Sequence, residues 1–246
     1  TLKKKIREFI CNRRSNIDNK IKSKSFLKKN DLTFYINTFG SKNPNKKFYV
    51  IQRTVGGGGM FSNLNYVIHH MKIALDLKCI PVIDMKNFPT KYNEKYKINN
   101  SLNSWDYYFY PINKYKLEEV YKSKFVIFVD GKTKRNIEFD SFEHLGKAHI
   151  QIYKKYIKIK KEITDEATSF INKNFSKGRV LGVHFRGTDM KTQERHPFPP
   201  TANQIIRIID QQIKKFKYNR IYLVTEDLKN LSILKKYYHS KILFFN

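Results

Sequence analysis

Gly182-Val183-His184-Phe185-Arg186-Gly187-Thr188-Asp189 ends an apolar run that begins at Arg179, and polar residues follow it. Side chains alternate along a strand, so His184 and Arg186 share one face while Val183 and Phe185 share the other. Residues 179–186 therefore predict a buried strand whose carboxyl end carries polar groups. Downstream, helical spacing over 201–217 precedes a strand at 220–225, a helix at 228–238 and a last strand at 241–245. Upstream, Phe48-Tyr49-Val50-Ile51 predicts a buried strand, followed by Gly56-Gly57-Gly58-Gly59. A helix over 60–78 then places Leu64, Val67, Ile68, Met71 and Leu75 on one face. Strands at 79–83 and 125–129 and helices at 141–157 and 161–175 complete the pattern. Strands alternating with helices imply α/β architecture with parallel sheets covered on both faces. The Asn-Phe-Ser-Lys-Gly stretch at 174–178 suggests a boundary. It divides the chain into a basic segment 1–30, an α/β domain 31–177 and a second domain 178–246.

At 246 residues the chain can hold two small α/β domains, and with 40% hydrophobic and 15% aromatic residues it can build a core throughout. That density of apolar residues excludes global disorder. No apolar run approaches the ~20 residues of a membrane span and no secretory signal pattern occurs, so a cytoplasmic location is expected. Cys11 and Cys79 are the only cysteines, which leaves neither a disulfide framework nor a zinc cluster. The net charge is +28, of which residues 1–30 contribute eleven basic and two acidic groups. An anionic partner and a solvated lysine surface account for that excess equally well. Within 1–30 the apolar positions are loosely helical, consistent with lying on an anionic leaflet or packing on the body.

Ligands of open parallel sheets bind beyond the carboxyl ends of strands, and four such places carry unusual residues. Gly57, Gly58 and Gly59 lead into a helix whose first turn holds Ser62 and Asn63, either a cradle for an anionic ligand or a plain turn. Arg186 has the fork geometry to hold a diphosphate, with Thr188 and Asp189 closing the turn, or it pairs with Asp189. Glu194 and His196, in the polar loop after Lys191, are candidate general bases. Asp227, after the strand at 220–225, either accepts hydrogen bonds from a nucleobase or caps the following helix. No Asp-x-Asp pair or His/carboxylate cluster supports a divalent metal. Trp105, Tyr107 and Tyr108 are candidates for stacking on an acceptor sugar.

These pieces, in this order, resemble the α1,6-type fucosyltransferases, the group that includes nodulation fucosyltransferases. The motif 182–189 looks like that family's Gly-Val-His-Val-Arg-Arg-Thr-Asp. Glu194 follows at the matching distance, with His196-Pro197 behind it. The Trp105-Asp106-Tyr107-Tyr108-Phe109-Tyr110-Pro111 segment and Tyr222-Leu223-Val224-Thr225-Glu226-Asp227 resemble further family segments. Gly187 stands where the family has a second Arg, and Met190 where it has Lys, with Lys191 one residue later.

The resemblance implies a GT-B enzyme of two Rossmann-like domains with GDP-fucose as donor, needing no cofactor or metal. Arg186 would hold the β-phosphate, Asp227 and His184 would read guanine, and Glu194 would deprotonate the acceptor hydroxyl in an inverting transfer. Because the family continues past the last strand, the second domain is expected to be incomplete at Asn246. The expected partners are a GDP-sugar and a glycan acceptor, such as a lipid-linked precursor of a bacterial surface glycan, with peripheral contact to an anionic membrane. Two alternatives stand beside this reading. One is a transferase of another GDP-sugar; the other is a non-catalytic protein that binds polyanions or membrane surfaces. No motif for specific nucleic-acid binding is present.

Overall fold

In a computed structural model the chain is described over residues 25–29, 32–53, 59–129, 146–175, 178–187 and 198–245. It divides into two compact units, the first ending at Lys160 and the second beginning at Lys161.

The first unit is built on a five-stranded sheet. Its strands are β1 (Ser25–Lys29), β2 (Leu32–Asn37), β3 (Lys42–Ile51), β4 (Ile80–Ile83) and β5 (Ser123–Val129). Their spatial order is β1-β2-β5-β3-β4. The centre is parallel: β3 pairs with β4 through Val50 and Val82, and with β5 through Phe48 and Val126. The other edge is antiparallel, β1 on β2 and β2 on β5. This corrects the expectation of an all-parallel sheet. Only two residues separate β1 from β2, far too few for the crossover that parallel strands need.

β3 is central because both its faces are apolar. Phe48, Tyr49, Val50 and Ile51 are fully buried. Tyr49 and Ile51 face helix α1 (Met60–Asp76), meeting Leu64, Val67, Ile68 and Met71, while Phe48 and Val50 join Val82, Val126 and Phe128 on the opposite side. α1 is the crossover from β3 to β4, on the face its apolar stripe predicts. Among the described residues this unit also holds the α-helices α2 (Leu117–Val120) and α3 (Lys147–Tyr156) and a 3-10 turn at Ser104–Tyr107.

The second unit holds α4 (Lys161–Phe175), β6 (Val180–His184), α5 (Ala202–Phe216), β7 (Arg220–Val224), α6 (Leu228–Tyr238) and β8 (Ile242–Leu243). Its three strands are parallel in the order β6-β7-β8. One face is covered by α5 and α6, where Ile209, Leu231, Leu234 and Tyr238 enclose Phe185, Ile221 and Leu223. A complete capping box starts α5, with Thr201 and Gln204 satisfying each other's backbone N–H groups.

The other face is covered less fully. α4 lays Phe170 against Tyr222 and Phe245, with ring centroids 5.6 and 5.1 Å apart, and Phe175 against Tyr222. Those contacts put α4 in the second unit, so the division falls at 160/161 and not at the expected 177/178. Further along the same face Gly182, His184 and Val224 are exposed, which departs from the expectation of full cover on both sides. Among the described residues no helix is long and apolar enough to cross a membrane.

Candidate functional site

The carboxyl ends of β6 and β7 lie side by side, His184 in register with Val224, and Phe185 N–H continues the ladder to the Val224 carbonyl at 2.9 Å. Burial alternates along this segment: Leu181, Val183 and Phe185 point to the helices, and Gly182, His184 and Arg186 are exposed. The structure therefore brings His184 and Arg186 to one open side of the strand end. A planar guanidinium and an imidazole on that side offer donors to an anionic or heteroaromatic ligand.

Beneath them the turn is fixed by the next strand. Gly187 N–H donates to Glu226 Oε1 at 2.8 Å. Asp227 is the N-cap of α6: its Oδ1 accepts from the backbone N–H groups of Lys229 at 2.9 Å and Asn230 at 3.2 Å. Its own N–H donates to Thr225 Oγ1. The cap satisfies two of the helix's otherwise orphan donors. Of the two roles open to Asp227, capping is the one its geometry displays, with the carboxylate buried. Gly187 packs directly on it. A Cβ at 187 would lie 2.8 Å from Asp227 Oδ2 and 2.9 Å from Asn230 Nδ2, so any side chain there requires one of these groups to shift.

In the first unit the end of β3 carries a group that reading of the sequence passed over. Arg53 is 2% exposed. Its Nε donates to Asn63 Oδ1 at 3.0 Å, and its guanidinium lies 4.5 Å from the Tyr66 ring centroid. Tyr66 in turn donates its hydroxyl to the Gln52 carbonyl at 2.8 Å. Asn63, expected to face a ligand, is instead 4% exposed and engaged by Arg53. The signal available in sequence was an arginine set between a buried strand and a glycine run. Gly59 is the N-cap of α1 in extended conformation, and no side chain caps that helix.

Asp84, at the carboxyl end of β4, is fully buried. Its Oδ1 accepts from Lys86 and Asn87 N–H, and its Oδ2 from Asn87 Nδ2 and, at 2.6 Å, from the Tyr121 hydroxyl. Burial raises its pKa above the ordinary aspartate value, against the pull of those hydrogen bonds.

Trp105 and Tyr107 do not present faces to an acceptor. Trp105 is 3% exposed and stacks on Phe109 at 4.3 Å, and Tyr107 is also buried. They belong to the core, which corrects their assignment as sugar platforms; Tyr108 is half-buried. Gly57, Gly58, Thr188, Asp189, Lys191 and Glu194 lie outside the described residues, as does the basic segment up to residue 24. Among the described residues no group of three or more His, Cys, Asp or Glu is placed to hold a metal.

No family model matches the sequence, and no curated protein does. Solved structures do match. The NodZ α-1,6-fucosyltransferase soaked with GDP-fucose aligns at 15% identity and a TM-score of 0.50, over 82% of this chain and 78% of that one. The chain has a fucosyltransferase-like fold. Fucosyltransferase NodZ from Bradyrhizobium aligns at 14% identity and 0.48, over 82% and 79% of the two chains. POFUT1 in complex with GDP-fucose aligns at 12% and 0.30, over 83% and 62%. Within this fucosyltransferase-like fold, His184 and Arg186 stand at the end of the first strand of the second unit.

Proposed function

We propose that the chain is a GT-B-like glycosyltransferase of two Rossmann-like domains that moves fucose from GDP-fucose to a hydroxyl of a glycan acceptor with inversion. The observation that carries this reading is the joint exposure of His184 and Arg186 at the β6 end, above a turn locked by Gly187, Glu226 and Asp227. The likeness of fold and of the 182–189 motif supports it.

In this reading the diphosphate leaves as the sugar C–O bond breaks, and the fixed charge of Arg186 stabilises it without a metal. Glu194 takes the acceptor proton from the opposite side. His184 hydrogen-bonds guanine, with Asp227 as the second residue assigned to the base. The basic N-terminal segment holds the enzyme at an anionic leaflet on the cytoplasmic side, where a lipid-linked precursor of a bacterial surface glycan is within reach. Unchanged liposome binding after deletion of residues 1–24, which leaves β1 in place, would remove that last element.

The deciding experiment is calorimetric titration of GDP into the wild-type protein and Arg186→Ala, with UDP as control. GDP binding that is absent for UDP and lost in the variant supports the reading. Equal binding of GDP and UDP, or binding indifferent to Arg186→Ala, overturns it.

A further inference from the structure

The first unit contains a cleft of about 550 Å³ beside the carboxyl end of β4, formed by the 97–106 and 111–118 segments. That volume lies within the range of small-molecule sites. Its wall includes Ile83 and Trp105, and its rim carries Lys86, Lys97, Lys114 and Lys116, all exposed. Two carboxylates also line it, against the four lysines. Glu118 pairs with Lys86 at 3.2 Å, and that lysine with a backbone N–H holds its carboxyl below the usual range. Asp106 accepts from Ser101 Oγ at 2.8 Å, and burial raises its pKa above the ordinary aspartate value. Among the described residues no carboxylate forms an ion pair with Lys97, Lys114 or Lys116. Four lysines and two carboxylates thus line a cleft whose wall includes apolar side chains, and the balance of charge is positive. Such a site attracts a compact anion that brings its own apolar or sugar surface.

We propose that this cleft binds an anionic saccharide, one bearing carboxylate groups, and that Lys97, Lys114 and Lys116 recognise its charge. Taking that saccharide to be the acceptor rests on the transferase reading above; the cleft itself does not.

Trp105, the only tryptophan of the chain, is buried against Phe109 and borders the cleft, so its fluorescence is the readout of occupancy. The probes are digalacturonate and its neutral dimethyl ester, titrated into three proteins: the wild type, Lys97→Glu/Lys114→Glu/Lys116→Glu, and a control with the same charge change at the exposed Lys154, Lys158 and Lys215. The expected result is a saturable change with digalacturonate, at least tenfold weaker with the ester and in the cleft variant, and retained in the control. GDP titration of the cleft variant accompanies it and is expected to match the wild type. Equal response to acid and ester overturns the ligand class, and equal weakening in both triple variants overturns the site in favour of general electrostatics. No tryptophan response while GDP still binds overturns the cleft and leaves the transferase reading standing. Digalacturonate binding without GDP binding does the reverse.

Discussion

Gly187 and Asp227 pack so closely that a side chain at 187 must displace the Asp227 carboxylate: a Cβ on Gly187 would stand 2.8 Å from Asp227 Oδ2 and 3.2 Å from its Cβ. The turn after β6 and the start of α6 thereby pack against each other, one residue beyond Arg186. Alanine at 187 forces the Asp227 cap to shift and is expected to cost about 1–3 kcal/mol, as overpacking does. Arginine there, matching the motif that the sequence resembles, costs more. Urea unfolding of Gly187→Ala and Gly187→Arg checks both. A wild-type midpoint for the alanine variant would show that this contact yields freely.

Asp227 carries two separable properties, a cap and a charge. Asn caps almost as well as Asp, whereas Ala removes the acceptor at a cost of about 0.5–2 kcal/mol. Asp227→Asn is therefore expected to keep wild-type stability and Asp227→Ala to lose it. If its carboxylate reads guanine, Asp227→Asn also weakens GDP binding at unchanged stability. Thermal unfolding paired with GDP titration separates the two.

Arg53 supports the first turn of α1 from inside the protein. Replacing it with Leu strands the buried Asn63 oxygen and removes the guanidinium from Tyr66. The expected loss is about 1–3 kcal/mol for the unsatisfied acceptor alone. Lys at 53 keeps the charge but not the planar fork, so it recovers only part of the stability. Full recovery by Lys, measured in urea, would show that charge and not geometry matters.

Asp84 gives stability a pH dependence of unusual sign. Its folded pKa is raised by burial, so the folded state holds the proton more tightly than the unfolded chain does. The stability from this linkage is fully present below the ordinary aspartate pKa and is lost as pH rises through the folded value. Asp84→Asn lacks this titration. The stability difference, wild type minus variant, is therefore expected to shrink from acid towards neutral pH. A difference that grows with pH, in unfolding curves recorded at a series of pH values, would contradict the assignment.

Helices with local signals were readable in advance. α4 at Lys161–Phe175 and α6 at Leu228–Tyr238 fall where apolar spacing and capping residues put them, because those forces act over a few neighbouring residues. The antiparallel edge was not readable. β2 finds its partner in β5, with Phe34 opposite Val129, and no local pattern encodes a pairing over that separation. Trp105 was misassigned for a related reason. An aromatic ring stacks equally well on Phe109 or on a sugar, and only packing tells which.

By itself the sequence determined that this is an α/β protein, which strands end in polar residues, and that His184 and Arg186 share a face, since strand alternation is a property of the backbone alone. Tertiary structure decided the rest. It buried Arg53 against Asn63 and made Asp227 a cap under a glycine. It also gathered lysines from residue 86 to residue 116 around one cleft. Which residues share a contact or a cleft in these cases is fixed by packing, by which surfaces the core must bury, and not by local pattern alone.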